Sequence, residues 1–478
     1  MALPKILRRL FGNSGYGPEL NSEIVPKPVS LQPWSGAYDY PASCAVKGAD
    51  GLLYWSAAPS GPGEGGAQDP VSDGGAHWGA LQARAPGVLD RSAGLVTSQW
   101  VQDAVCTAPL YVDAAAGDDA SDGLTQATAV KTLGRAVALS EGRTGRQLQT
   151  VYVAGGTYAE DVDIGGMGLE LVLQGDVSID GFVALARNAS CVVDGQNCTL
   201  SVSSTSYAAL SVTAGSQFYS YCAVELTGGS QRCVLRSSHC SSVIFGSTLT
   251  ITSTSSTTCI LLVDYNSVLV CGGACTLLGS SNPTAVEIFS MSFCQFSGGF
   301  TLSANVATNG VLVEHNSYLQ FTAGTVSITS KTGIAYEALY GSAIEFGSST
   351  SSTISKTGTG GNVILASTNS TIYINIGSNT TYSISCSSCA SLISGASNSV
   401  VSIIGSGTLT LSGTVTTSTV NFYYNSVFNL GSGLTISGTV TGKRYSAATG
   451  GMIIAGGANR IPGTTAGSAT AAQYAYYG

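Results

Sequence analysis

From Thr150 onward the chain consists of short runs in which apolar and polar residues alternate, such as Thr150-Val-Tyr-Val and Leu169-Glu-Leu-Val-Leu. A period of two predicts strands with one buried face. The runs also recur. A Ser, usually preceded by Asn or Gly, heads a strand at positions 190, 216, 241, 267, 292, 317, 342, 370, 399 and 426, at intervals of 25 to 29 residues. Two residues after these Ser stand Val192, Phe218, Val243, Leu269, Cys294, Leu319, Ile344, Ile372, Val401 and Phe428, all apolar. Four residues after stand Asp194, Ser220, Phe245, Cys271, Phe296, Phe321, Phe346, Ile374, Ile403 and Leu430, where the only polar residues fall in the first two coils. Side chains alternate across a strand, so both offsets face one way, and stacked coils place like on like to build interior columns. One coil cannot bury its own face, but its neighbours can bury it. A second strand precedes the Ser (Val311-Leu-Val-Glu) and a third follows it (Thr325-Val-Ser-Ile-Thr). The pattern therefore predicts an all-β fold: a right-handed parallel β-helix over residues 150–442, with three strands and about 25 residues per coil. An amyloid-like low-complexity chain would not hold such a register. Asn at 266, 316, 369, 398 and 425, just before the Ser, tolerates a left-handed corner and can stack its side chain from coil to coil.

The same register sorts the outward positions. Five and three residues before the Ser, the outward slots hold Asp264, Glu287, Glu314 and Glu337 on four successive coils. Glu287 and Glu314 are offset by one coil and two residues, which places their Cα atoms roughly 8 Å apart. Carboxyl pairs roughly 5 to 9.5 Å apart serve glycoside hydrolysis, so these two are the candidate catalytic pair. Tyr265, His315, Tyr340 and His239 stand two residues before the Ser, beside the same corner. Asp264, Tyr265, Glu287, Glu314, His315, Glu337 and Tyr340 thus form a candidate glycan-binding strip. The competing reading is that four carboxylates simply keep a strand face soluble.

Composition narrows the partners. Charged residues make up 10% of the chain, against about 25% in average globular proteins. The net charge is −8, and between Ser237 and Thr441 the only basic residues are Lys331 and Lys356. Nucleic acid requires clustered Lys and Arg, so it is excluded as a partner of this region. No apolar run is long enough to cross a membrane as a helix, and no cofactor motif is present. The chain has 13 Cys and no recognisable secretory leader at Met1–Phe11, which suggests reduced thiols. Cys386-Ser-Ser-Cys389 and Cys271-Gly-Gly-Ala-Cys275 lack a partner pair, so no metal site is expected and the thiols read as small core residues.

The ends differ from the repeat. Residues 1–33 carry Leu3, Ile6, Leu7 and Leu10 on one face of a short helix, followed by Gly, Asn and Pro breakers, and read as an attachment segment. Residues 34–86 read as a small β-module rich in aromatics, including Trp34, Tyr54, Trp55 and Trp78, which either form its core or stack on sugars. Residues 87–108 read as a linker. Residues 109–149 give a strand, an Asp/Gly-rich turn and an amphipathic helix with Leu133, Ala136 and Val137 on one side and Thr132 as its cap. Asp118, Asp119 and Asp122 in that turn suggest either calcium or hydrogen bonds to their own backbone. Past Lys443-Arg444 the pattern stops, and 443–478 reads as a cap or tip.

Three stretches carry a resemblance. The opening (Met1-Ala-Leu-Pro-Lys-Ile-Leu, then Leu10-Phe-Gly-Asn), the stretch Leu110-Tyr-Val-Asp through Lys131-Thr-Leu-Gly-Arg-Ala-Val, and the closing Gly450-Gly through Pro462-Gly to Gln473-Tyr resemble phage and prophage tail fibres or tailspikes with a pectate-lyase-like β-helix. The 34–86 module resembles small modules near the N-termini of phage tail fibres and, loosely, chitin-binding modules. The resemblance implies a helix that plugs the first coil. It also implies a homotrimer made in the host cytoplasm, an N-terminus docked on tail or baseplate proteins of the virion, and a shaft that meets bacterial surface polysaccharide. A structural adsorption fibre is the expected function. The alternatives are a polysaccharide-degrading tailspike, either glycosidase or lyase, and a bacterial surface adhesin.

Overall fold

The computed structural model describes residues 108–141 and 148–469 apart from loops at 229–232, 255–258, 280–282, 305–307, 331–332 and 457–459, together with short strands at 45–47, 53–56, 78–80 and 476–477. The chain divides into two units, Met1–Asp103 and Ala104–Gly478. In the first, Ala45–Lys47, Leu53–Ser56 and Trp78–Ala80 form a three-stranded antiparallel sheet, with Trp55 opposite Ala45 and Trp78 opposite Ser56. Leu3, Ile6, Leu7, Leu10 and Trp34 lie outside the described residues.

The second unit is a parallel β-solenoid of about 12 turns and about 25 residues per coil, consistent with the pectate-lyase-like fold. One coil shows the plan: strands Leu261–Val263, Val268–Cys271 and Cys275–Gly279 each pair in parallel with their equivalents in the next coil, Thr284–Ile288, Phe293–Phe296 and Phe300–Ala304. The expected columns are the core. Phe218, Val243, Leu269, Cys294, Leu319, Ile344, Ile372, Val401 and Phe428 are buried, as are Phe245, Cys271, Phe296, Phe321, Phe346, Ile374 and Ile403. Within them Phe296, Phe321 and Phe346 stack ring on ring at 5.6 and 4.8 Å. Such pairs contribute about 0.5–1.5 kcal/mol beyond their area burial.

The first coil corrects the sequence register by one residue. Cys191 pairs with Phe218 and Val193 with Ser220, so Ala189, not Ser190, is the equivalent of Ser216. Cys191 and Val193 point inward and are fully buried, which removes Val192 and Asp194 from the interior columns. The sequence landmark failed there because Ala occupies the corner and a Ser happens to follow it. Ser220 does point inward, and its hydroxyl is matched by the Cys222 carbonyl at 3.2 Å.

The recurring Ser has a physical cause. From Ser267 to Ser370 its side chain is buried and accepts a hydrogen bond from the backbone N–H of the preceding coil's Ser: Ser241 N–H to Ser267 Oγ, Ser267 to Ser292, Ser292 to Ser317, Ser317 to Ser342 and Ser342 to Ser370, at 3.1–3.3 Å, whereas Ser399 and Ser426 accept from Ala396 and Tyr423 N–H of their own coils at 3.0 Å. The corner interrupts the ladder of backbone bonds, and a buried N–H left unmatched there would be costly. Ser is small enough for the corner and brings its own acceptor.

At the N-terminal end, Leu110–Val112 pairs with Val151–Val153, and the helix Leu133–Glu141 lies over the interior of the first coil, against Val151, Val162, Ile164, Leu169 and Leu171. Thr132 caps it through Arg135 N–H at 3.1 Å. Glu160 adds a second cap from the next loop, accepting from Leu133 and Gly134 N–H at 2.7 and 2.8 Å. The Asp turn is held by its own backbone: Asp118 accepts from Ala120, Asp119 from Lys131 and Thr132, and Asp122 from Leu124. At the far end the coil register runs on past Lys443-Arg444. Tyr445–Ala448 and Met452–Ile454 pair with Val420–Tyr423 and Val427–Asn429, and Thr449-Gly450 forms the corner. The repeat escaped the sequence pattern because Gly451 stands where the other coils carry Ser.

Candidate functional site

Each corner before the Ser is turned by two consecutive residues with positive φ, such as Tyr265 (50°) and Asn266 (58°), His315 (57°) and Asn316 (59°), or Tyr340 (53°) and Gly341 (77°). This left-handed conformation is costly for residues other than Gly, least so for Asn. The corners are locked to one another by backbone bonds: Cys240 N–H to Tyr265 O, Asn266 to Ser290, Met291 to His315 and Asn316 to Tyr340, at 2.8–3.0 Å. The first residue of each pair points out of the solenoid. Its side chains consequently form an outward column at the coil spacing of about 4.8 Å.

That column carries the aromatics. His239 stacks on Tyr265 at 4.8 Å and His315 on Tyr340 at 4.9 Å, with rings tilted by 27° and 26°. Ser290 separates the two pairs, and the neighbouring Phe289 presents an edge contact to Tyr265 at 5.8 Å. Tyr265 and Tyr340 stay about half exposed, at 47% and 49%. The structure thus brings Tyr265, His315 and Tyr340 into one line, as the register implied. Met291, 61% exposed, stands at the second position of the corner between the pairs.

The carboxylates lie on the strand leading into this corner. Glu287 pairs with Leu312 and Leu312 with Glu337, so the two Glu share one outward column, two coils apart. Glu314 occupies the adjacent outward column, hydrogen-bonded through its N–H to Ile288 O. It sits one coil and two residues from each of the others, roughly 8 Å by strand geometry. Acid and apolar residues alternate in both directions, with Leu312, Phe289 and Leu339 filling the remaining squares. Glu314 Oε2 lies 3.7 Å from His315 Nδ1. Burial pushes the Glu337 carboxyl above the ordinary range, the nearby Glu314 charge adds to that, and a hydrogen bond from the Asn309 side chain opposes it. The candidate pair Glu287 and Glu314 has the expected register, and Glu337, one coil from Glu314, carries a raised carboxyl.

Asp264 does not belong to the exposed strip. It is fully buried, and its carboxylate faces Arg236 Nη2 at 3.8 Å. The adjacent Leu262 is also fully buried and packs with Cys233, Cys259 and the half-buried Phe289. Pointing away from the solenoid core is therefore not the same as facing solvent at this coil. Arg236 was legible in the sequence, because it occupies the slot five residues before Ser241. Phe289 was legible in the same way, three residues before Ser292, whereas Asn309 was not, since it belongs to neither outward slot nor corner.

No family model, no curated protein and no solved structure matches the chain.

Among the described residues, no group of three His, Cys, Asp or Glu side chains is arranged to hold a metal ion. The chemistry on offer is therefore exposed rings for stacking, carboxylates for hydrogen bonding to hydroxyls or ammonium groups, and one carboxyl held toward its protonated form.

Proposed function

We propose that this chain is the shaft of a phage tail fibre or tailspike that adsorbs to a bacterial surface glycan along the corner formed by His239, Tyr265, His315 and Tyr340. The observation that carries this reading is the exposed aromatic column, held in register by a costly left-handed backbone beside Glu287, Glu314 and Glu337. A β-helix suits both tailspike-like and adhesin-like proteins, and the resemblance of the two ends of the chain favours the former. On this reading the N-terminal segment with Leu3, Ile6, Leu7 and Leu10 docks on the virion, and the assembled protein is a homotrimer.

Charge narrows the glycan. Glu287, Glu314 and Glu337 stand beside the corner on successive coils and Lys356 is buried, so among the described residues this flank is acidic. A neutral polymer or one bearing amino sugars fits it, whereas a uronate- or sialate-rich capsule is repelled. The test is a glycan array carrying neutral, amino-sugar and uronate polymers, probed with the full chain and with Tyr265→Ala/Tyr340→Ala. The expected result is binding to the first two classes, weakened at least about tenfold in the variant by loss of ring contacts. Binding confined to uronate polymers, or unchanged in the variant, overturns it.

A second reading, polysaccharide cleavage, is favoured by one observation. Glu337 is biased toward the acid form while Glu314 lies at a Cα spacing of roughly 8 Å, which allows the carboxyl separation used by inverting glycosidases. Release of reducing ends that disappears in Glu337→Gln and Glu314→Gln would support it. Absence of any release from bound glycan removes it.

A further inference from the structure

The corner row runs on past Tyr340. Its backbone lock continues from Gly341 N–H to Thr368 O, Asn369 to Ser397 and Asn398 to Tyr424, at 2.8–2.9 Å. Thr368, Ser397 and Tyr424 hold φ at 53°, 52° and 53°, matching Tyr265 and Tyr340. The seven coils from Tyr265 to Tyr424 therefore present one continuous row of outward side chains. Tyrosine returns in that row at every third coil, as Tyr265, Tyr340 and Tyr424. All three rings are open to solvent, at 47%, 49% and 54%. Each is also braced by a second ring: Tyr265 stacks on His239, Tyr340 on His315, and Tyr424 meets Tyr423 edge-on at 5.0 Å. Ser290 and His315 fill the first interval, and Thr368 and Ser397 the second. The fold does not impose such a period. On the third strand of the same coils the outward column Thr276, Thr301, Ser327, Thr353, Ser383 and Thr410, the hydroxyl face, repeats one chemistry at every step. Backbone preference does not select Tyr at the corner either, since the left-handed region favours Gly and Asn.

Resting on the adsorption reading above, we propose that Tyr424 is a third sugar-stacking site and that the corner reads a linear glycan whose repeating unit is a trisaccharide. Three coils, roughly 14 Å, separate successive rings, and a sugar in an extended chain advances about as far as one coil, ~4.8 Å. A trisaccharide repeat laid along the corner brings an equivalent sugar over each Tyr, where its C–H face packs on the ring. A disaccharide or tetrasaccharide repeat falls out of step at the next ring. Ser290, Thr368 and Ser397 leave the intervals between rings to small hydroxyl-bearing side chains, with His315 the one bulky exception. The carboxylates do not extend to the third site. The outward column of Glu287 and Glu337 continues as Leu365, Ser394 and Asn421, and from Phe346 to Thr441 the sequence has no Asp or Glu. Stacking, not charge, therefore supplies what Tyr424 adds. It acts on a chain already held at the other two rings, so its effect multiplies into the affinity.

Calorimetric titration of the full chain with neutral bacterial polysaccharides of disaccharide, trisaccharide and tetrasaccharide repeat tests this. Wild type is compared with Tyr424→Ala and with the exchange Ser397→Tyr/Tyr424→Ser. The exchange keeps the composition and all three rings, and Ser397 shares the left-handed corner. It moves the last ring to two coils from Tyr340, roughly 10 Å. Both variants alter only outward side chains, so circular dichroism should report an intact solenoid in each. The expected result is tightest binding to the trisaccharide repeat, weakened about tenfold in both variants. Fragments of a single repeat reach one ring at a time and should bind all three forms alike. Unchanged polymer binding by Tyr424→Ala overturns the third site. An exchange variant as tight as wild type, or a wild type that prefers another repeat length, overturns the trisaccharide step. Each of these results leaves the adsorption reading standing. A wild type that binds no glycan at all defeats that reading itself, and the third site with it.

Discussion

The left-handed corners make a prediction that ordinary strand behaviour would reverse. Tyr265 and Tyr340 sit at φ 50° and 53°, and their half-exposed rings stack on His239 and His315. Replacing both by Ala removes the rings and keeps a Cβ in the left-handed region. Replacing both by Gly removes the rings and the Cβ together. The Ala–Gly difference therefore isolates the backbone. An L-residue in this conformation costs about 1–2 kcal/mol per position, and Gly gives back about 0.4–1 kcal/mol through its greater freedom in the unfolded chain. The Gly form should be the more stable by about 0.5–1 kcal/mol per corner. The corners lie three coils apart, roughly 14 Å, so the two contributions should add to about 1–2 kcal/mol. Urea denaturation of the paired double variants, followed by far-ultraviolet circular dichroism, measures the difference directly. An Ala form as stable as the Gly form would refute the reasoning that these aromatics are kept at a conformational cost. Both forms should lose glycan binding equally, which separates what the ring does from what the backbone tolerates.

Three further outcomes follow from the packing. Ser317→Ala deprives the buried Ser292 N–H of its acceptor and should destabilise the solenoid by about 1–3 kcal/mol in urea, whereas Ser327→Ala on the hydroxyl face should change it little. Because the folded-state pKa of Glu337 is raised, its contribution to stability is present at low pH and is lost as pH rises through the window between its unfolded and folded values. Glu337→Gln should therefore raise the melting temperature at pH 7 and leave it unchanged below about pH 4, where an unfolded Glu is itself protonated; an equal gain at both would show another cause. Alkylation of the native protein followed by peptide mass spectrometry should label the exposed Cys240 quickly. Cys191, whose thiol burial pushes up to about 12, should react only after unfolding, as should the fully buried Cys271 and Cys294.

The sequence by itself determined the solenoid, its coil length and most of its interior columns. A translational repeat writes the same packing problem into the chain every 25 residues, so Phe218 through Phe428 were placed by offset alone. The corner Ser served as the landmark because one buried hydroxyl per coil is needed where the backbone ladder is interrupted. Where a residue without a hydroxyl takes that position, Ala189 in the first coil and Gly451 in the last, the register slipped or was lost. The aromatic line of Tyr265, His315 and Tyr340 was legible for the same reason. Only the tertiary structure decided what depends on a second layer or on charge at a distance. Asp264 is outward by register, yet Leu262, Cys233 and Cys259 surround its strand and leave it facing Arg236. The Glu337 carboxyl is raised because burial and the Glu314 charge outweigh the opposing Asn309 hydrogen bond. Register fixes which way a side chain points; solvent exposure and pKa depend on what else the fold brings to that point, and no local pattern in the chain records it.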